Sequence, residues 1–173
     1  CTFRSMGCTI AVYRGDVRPA RSLADLPCSV TMFPQLVAGP IVRATEFLPQ
    51  MGRVRRLHLP VFAEGMYMVV VGAFLKMVCA DNLGVLVDEH WGAGTDGRAA
   101  SATLFVVALL FAGQIFCDFA GYSAIARGVA KWFGFDLMVN FKTPYASRSI
   151  QEFWHRWHIS LSNFLREYLY IPL

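Results

Sequence analysis

Residues 61–80 read VFAEGMYMVVVGAFLKMVCA. Only Glu64 and Lys76 interrupt this apolar run, and at about 1.5 Å per helical residue it covers about 30 Å, the thickness of a bilayer's hydrocarbon core. Each charge lies about one turn from an end, and Lys76 can snorkel to the interface. A transmembrane helix is therefore expected over about 61–80. Residues 99–126 form a second such run, with Asp118 as the single acidic or basic residue, and a second span is expected there.

The rest of the chain agrees. Its 173 residues are 55% hydrophobic, 14% aromatic and 16% charged, against about 25% charged residues in soluble domains. There are too few charges to coat an ordinary water-facing surface, and too many aromatics for a disordered chain. The five cysteines are odd in number and form no CxxC pair, so a disulfide scaffold is excluded. Cys79 and Cys117 lie in apolar runs and read as small buried hydrophobes. The net charge of +4 comes from sixteen dispersed basic residues, so no nucleic-acid partner is expected.

Charge placement orients the spans. Arg43, Arg53, Arg55 and Arg56 precede the first span against Glu46. The connection from Asp81 to Arg98 carries Asp81, Asp88, Glu89 and Asp96 against Arg98, and Arg127, Lys131 and Lys142 follow the second span. Basic flanks are cytoplasmic, so the acidic connection is expected outside. Residues 27–42 are apolar, but Pro27, Pro34 and Pro40 bar a continuous helix. A re-entrant or interfacial segment packed against other helices is expected, with a surface loop as the alternative. The chain begins at Cys1 and stops in mid-pattern at Leu173, which reads as an internal fragment of one membrane domain spanning 1–173.

Ser149-Ile150-Gln151-Glu152 has the form of a capping box, so a helix is expected from about 149 to 170, ended by Pro172. At about 100° per residue, Gln151, Trp154, His158, Leu161, Ser162 and Leu165 share one face. Arg156, Ser160, Asn163 and Glu167 share the other. A histidine inside such a helix, on its apolar side, is desolvated and stays neutral near pH 7, which suits a general base in acyl transfer. A purely structural histidine fits the same pattern. His155 and His158 alone cannot complete a zinc site, and no metal is expected. Ser123 lacks the G-x-S-x-G elbow of a serine hydrolase. Asp118, flanked by Gln114 and Tyr122 at four-residue spacing, either lines a tunnel or pairs with an Arg or Tyr to hold helices together.

Four ordered blocks carry a resemblance: Phe33-Pro34-Gln35-Leu36-Val37-Ala38-Gly39-Pro40-Ile41-Val42-Arg43, Phe116-Cys117-Asp118-Phe119-Ala120-Gly121-Tyr122, Asn140-Phe141-Lys142-Thr143-Pro144-Tyr145, and Phe153-Trp154-His155-Arg156-Trp157-His158-Ile159-Ser160-Leu161-Ser162. Together with Tyr168-Leu169-Tyr170-Ile171-Pro172-Leu173 they make the chain resemble the membrane-bound O-acyltransferase family, in the branch of alginate O-acetyltransferases and teichoic-acid D-alanyl transfer proteins. His155 stands where that branch usually has Arg, and Asn163-Phe164 replaces a small hydroxyl residue followed by Trp.

The resemblance implies an all-α, polytopic enzyme of the bacterial cytoplasmic (inner) membrane that moves an acetyl or other acyl group onto hydroxyls of an extracytoplasmic polysaccharide or similar polymer. His158 falls on one of the family's two histidines, as general base or acceptor-orienting residue; the other is expected downstream of this chain. Asp118, Tyr122, Asn140, Trp154, Trp157 and Ser162 are the candidate substrate contacts. No tightly bound cofactor is implied; the co-substrate is an acyl donor such as acetyl-CoA or an acyl carrier. The implied partners are the lipid bilayer, the polymer, and a periplasmic or membrane-anchored acetylation protein. The alternatives are a non-catalytic membrane scaffold or transport component, and a channel built round Asp118.

Overall fold

The computed structural model describes residues 2–15, 39–42, 47, 49–50, 58–95 and 101–171, and among these there are helices and irregular segments but no strand. The long central hairpin follows from the two apolar runs. Helix α1 is Thr2–Tyr13. Helix α2, Leu59–Ala73, starts with proline in its first turn, where a missing N–H leaves no helical bond unmade. It passes through a π-helical stretch, Phe74–Ala80, straight into α3, Asp81–Thr95. Helix α4 is Ser101–Trp132.

Both spans are longer than the apolar runs indicate. Residues Leu59–Trp91 make one rod of 33 residues and Ser101–Trp132 one of 32, each long and apolar enough to cross a membrane. The acidic connection expected from Asp81 onwards is helical as far as Thr95. No proline interrupts Asp81 to Thr95, and a rod of that length, about 50 Å, outruns a core of about 30 Å. Its acidic end can therefore stay helical beyond the hydrocarbon.

The two rods touch backbone to backbone. A methyl group at Gly72 would lie 2.6 Å from the Gly121 carbonyl oxygen, and one at Gly65 would lie 2.8 Å from that of Gly128. Glycine at these paired positions lets the helices approach to a separation that any side chain would prevent. The charges obey the same antiparallel register, with Lys131 Nζ 2.9 Å from Glu64 Oε2 and Lys76 Nζ 2.6 Å from Asp118 Oδ1. Lys76 thus turns inward, where the sequence pointed to snorkelling. Trp132 adds an indole N–H donated to the Phe62 carbonyl at 3.2 Å and a ring stacked on Phe62. The outer faces expose Tyr67, Val70, Phe74, Met77, Phe105 and Leu109, an apolar belt suited to lipid or further helices.

After α4 the chain turns at Gly134, whose φ of 74° suits glycine. It then runs without regular structure beside the hairpin's end. Phe135 and Leu137 bury against Val42, Phe47 and Ala130, and Arg127 Nε donates to the Leu137 carbonyl at 3.1 Å. Of the segment 27–42, residues 27–38 lie outside the described residues. Gly39–Val42 are non-helical, with Pro40 and Val42 buried. The chain ends in a 3₁₀ turn, Pro144–Ala146, two short helices, α5 (Ile150–Arg156) and α6 (Ile159–Leu165), and a π-helical turn, Arg166–Tyr170. Helix α1 packs here: a Cβ at Gly7 would meet Phe164 at 3.0 Å, and the Arg14 guanidinium lies over Tyr168.

Candidate active site

The N-cap of α5 forms as its sequence indicates. Ser149 Oγ accepts the Glu152 N–H at 3.1 Å, while Glu152 reaches back to accept the Arg148 N–H at 2.8 Å and pairs with Arg156. The single helix expected over 149–170 does not. It breaks at Trp157, which is extended, and His158, which is left-handed at φ 42°, ψ 55°. His158 therefore sits at the N-cap of α6, not inside a helix.

The break has a physical cause in the preceding loop. In an uninterrupted helix the Arg156 carbonyl would accept from Ser160, and the Ile159 N–H would donate to His155. Instead the Arg156 carbonyl takes the Lys142 N–H at 3.0 Å, and the Asn140 carbonyl takes the Ile159 N–H at 3.0 Å. The Ser160 N–H donates to Asn140 Oδ1 at 3.3 Å. Three of the backbone groups released by the break find partners on residues 140–142, which offsets part of the lost helical bonding. Left-handed backbone at a non-glycine residue still costs about 1–3 kcal/mol and concentrates at functional sites.

Asn140 is the hub of this arrangement. It is 1% exposed, and beyond its two acceptor roles its Nδ2 donates to Ser123 Oγ on α4 at 3.2 Å. A second tie runs through Ser160, 2% exposed. Its Oγ accepts the Ile41 N–H at 3.0 Å and lies 3.5 Å from His158 Nδ1. Three segments distant in sequence thus converge on His158. The helical-wheel assignment put Ser160 on the polar face opposite His158, and the break overturns it. Ser160 is buried beside the imidazole, whereas Trp154 and Leu165, assigned to the apolar face, are exposed.

Aromatic rings surround the break. His158 makes an edge contact with Phe119 at 4.7 Å between centroids and lies nearly parallel to Phe141 at 6.4 Å. Trp157 is packed among Phe116, Phe141, Tyr145 and Phe153. Desolvation in this setting lowers the pKa of His158 from its ordinary 6.5, which leaves a neutral ring at neutral pH. Burial, and then the neighbouring Cys117, push the Tyr145 hydroxyl up, so it stays a phenol and donates to the Ala112 carbonyl at 2.7 Å.

The candidate residues fall into two groups. His158, Trp157 and Asn140 are joined at the break, and Ser162 stands one turn on, its N–H donating to the His158 carbonyl at 3.0 Å. Trp154 stands at the exposed edge, its ring against Phe153. Asp118 and Tyr122 belong to the hairpin clasp, where Lys76 bonds Asp118 and, at 2.7 Å, Asp81, and lies over the Tyr122 ring. Among the described residues no three His, Cys, Asp or Glu side chains converge as a metal site. Phe119, Phe141, Ser123, Ile41 and Ser160 also build the site. All but Ser123 lie in the quoted motif blocks, but their roles depend on contacts between segments that helical spacing does not encode.

A sequence model of the membrane-bound O-acyltransferase family matches residues 30–173. The chain is 44% identical over 172 residues to a probable alginate O-acetylase of Azotobacter vinelandii, covering 99% of this chain and 34% of that protein. It is 40% identical over 151 residues to a peptidoglycan O-acetyltransferase of Helicobacter pylori, covering 86% of this chain and 28% of that protein. A teichoic acid D-alanyltransferase of Streptococcus thermophilus is 29% identical over 176 residues, covering 99% of this chain and 42% of that protein. The chain spans about a third of the length of the curated O-acetylases it matches.

Proposed function

The chain belongs to the membrane-bound O-acyltransferase family, and on that premise we propose that it forms the His158-bearing part of an enzyme that acylates hydroxyl groups of an extracytoplasmic, envelope-associated polymer. The observation that carries this reading is His158 itself. It is an imidazole kept neutral by desolvation, held in left-handed backbone at a helix break, and walled by Phe119 and Phe141.

In the reaction, an acceptor hydroxyl oxygen bonds to the acyl carbon as the bond from that carbon to the donor's thiol sulfur breaks. The hydroxyl proton ends on the departing thiolate. His158 serves the acceptor oxygen, either by taking its proton or by holding it in line for attack. The donor is acetyl-CoA or an acyl carrier. Relatives named for alginate and peptidoglycan O-acetylation favour a polysaccharide acceptor and an acetyl group. The basic flanks favour a multi-pass protein of the bacterial cytoplasmic membrane with its acidic helix end outside. A periplasmic or membrane-anchored acetylation protein then receives or presents the polymer.

The test is reconstitution of the full-length protein in liposomes, with labelled acetyl-CoA on one side and hydroxylated polysaccharide on the other. Label appearing in base-labile ester on the polysaccharide is the expected result. Flux or scaffolding without ester formation, once the natural partner is added, overturns the reading in favour of a transport or assembly role.

A further inference from the structure

The surroundings of the Ser160 hydroxyl determine which nitrogen of His158 carries the proton. Ser160 is buried, and one lone pair of its oxygen already accepts the Ile41 N–H at 3.0 Å. A hydroxyl has one proton to donate, and a buried donor left without an acceptor costs about 1–3 kcal/mol. Among the described residues, the one acceptor within reach of that proton is His158 Nδ1, at 3.5 Å. The opposite arrangement, with Nδ1–H donating to Ser160, leaves the hydroxyl proton buried with no acceptor among the described residues.

We infer that Ser160 is a positioning residue: its hydroxyl, itself held by the Ile41 N–H, donates to His158 Nδ1 and fixes the neutral imidazole with its proton on Nε2. Burial of the ring, which keeps it neutral, is what makes the tautomer meaningful near pH 7. The backbone supports the same placement, since Asn140 anchors the Ile159 and Ser160 amides on either side of the Ile159 Cα, just before the Ser160 side chain. Residue 41 brings in a segment 119 residues away from Ser160 in sequence, so the packing of that segment and the state of the imidazole are linked.

This deepens the proposed function and rests on it for its chemical consequence. A ring with Nε2–H offers the reactants a hydrogen-bond donor, so of the two roles open to His158 it takes the orienting one, holding a reacting oxygen rather than removing its proton. The tautomer itself stands apart from turnover.

The experiment is nitrogen-15 NMR of histidine-labelled full-length protein in bilayers near neutral pH, with His158 assigned by difference from His158→Gln. The expected wild-type spectrum has a directly bonded proton at Nε2 and a bare, hydrogen-bonded Nδ1. Ser160→Ala is expected to give a mixture of tautomers, and Ser160→Thr, which keeps a hydroxyl, to restore the single one. A proton on Nδ1 in the wild type overturns the inference whatever the variants do, as does a Ser160→Ala spectrum identical to wild type. In acetyl transfer, His158→Gln, which retains an N–H near the Nε2 position but cannot act as a base, is expected to keep activity at least tenfold above His158→Ala. Equal loss in the two variants overturns the orienting role. A wild-type protein that shows the expected tautomer but transfers no acetyl group refutes the proposed function and leaves the assignment of Ser160 intact.

Discussion

Asn140→Ala tests the construction of the site. The substitution removes Oδ1, the acceptor for the Ser160 N–H, and Nδ2, the donor to Ser123. Ser160 and Ser123 are 2% and 3% exposed, so water cannot readily replace either bond. One orphaned buried N–H costs about 1–3 kcal/mol, and truncating a fully buried side chain adds about 1 kcal/mol. The full-length protein should lose about 2–4 kcal/mol of unfolding free energy, read by denaturant titration in detergent or bilayer. Hydrogen exchange adds residue resolution. The Ser160 amide should lose protection, while the Ile159 amide, held by the main-chain carbonyl of residue 140, should lose less. A variant within about 0.5 kcal/mol of wild type, with Ser160 exchange unchanged, would refute the claim that Asn140 supports the break.

Further predictions concern the hairpin and the imidazole. Gly121→Ala puts a methyl group 2.7 Å from the Gly72 carbonyl oxygen and 3.0 Å from the Lys76 nitrogen; these are backbone atoms, so thermal unfolding should report about 1–3 kcal/mol of destabilisation. Gly113→Ala, whose methyl would meet only Leu83 at 3.7 Å, should stay within about 0.5 kcal/mol of wild type. Lys76→Met should lower the thermal unfolding midpoint, because it removes the ion-pair partner of Asp118, and Asp118→Asn in the same background should recover part of the loss in a double-mutant cycle. For His158, the native state resists a proton that the unfolded chain accepts with a pKa of 6.5. Stability attributable to the neutral ring is therefore complete well above that value and is lost as pH falls through and below it. Acidification from neutral pH should destabilise wild type more than His158→Gln, and equal slopes would contradict this.

The two spans were legible because twenty residues with two charges need no tertiary context to read as membrane-crossing. Their far ends were not. Helix α3 continues through Asp81, Asp88 and Glu89, since acidic residues end a hydrophobic run without ending a helix. The close approach of the rods was written at positions 65, 72, 121 and 128, where glycines recur at seven-residue spacing in both helices and meet in pairs.

The site was legible in its centre and not in its shape. His158, Trp157 and Asn140 were identifiable from the motif blocks, but helical periodicity carried them through a break that no glycine or proline announces. The left-handed His158 and the inward turn of Ser160 are imposed from outside their own segment, by the Asn140 side chain and by the backbone of Ile41 and Lys142. A pattern that is local in sequence cannot report constraints of that kind. Asp118 shows the same limit in milder form: its isolation in an apolar run was plain, but its pairing with Lys76 depended on the register of the hairpin.

At the centre of the account stands the claim that the desolvated imidazole at the α5–α6 break serves the acyl acceptor. The most direct measurement compares acetyl ester formation on polysaccharide by the full-length wild-type protein and by His158→Ala, with equal amounts in the membrane and the Asn140-bound break shown intact by Ile159 and Ser160 amide protection. A loss of at least a hundredfold is expected, the lower range for a positioned acid–base or orienting group. Undiminished transfer by the folded variant would contradict it.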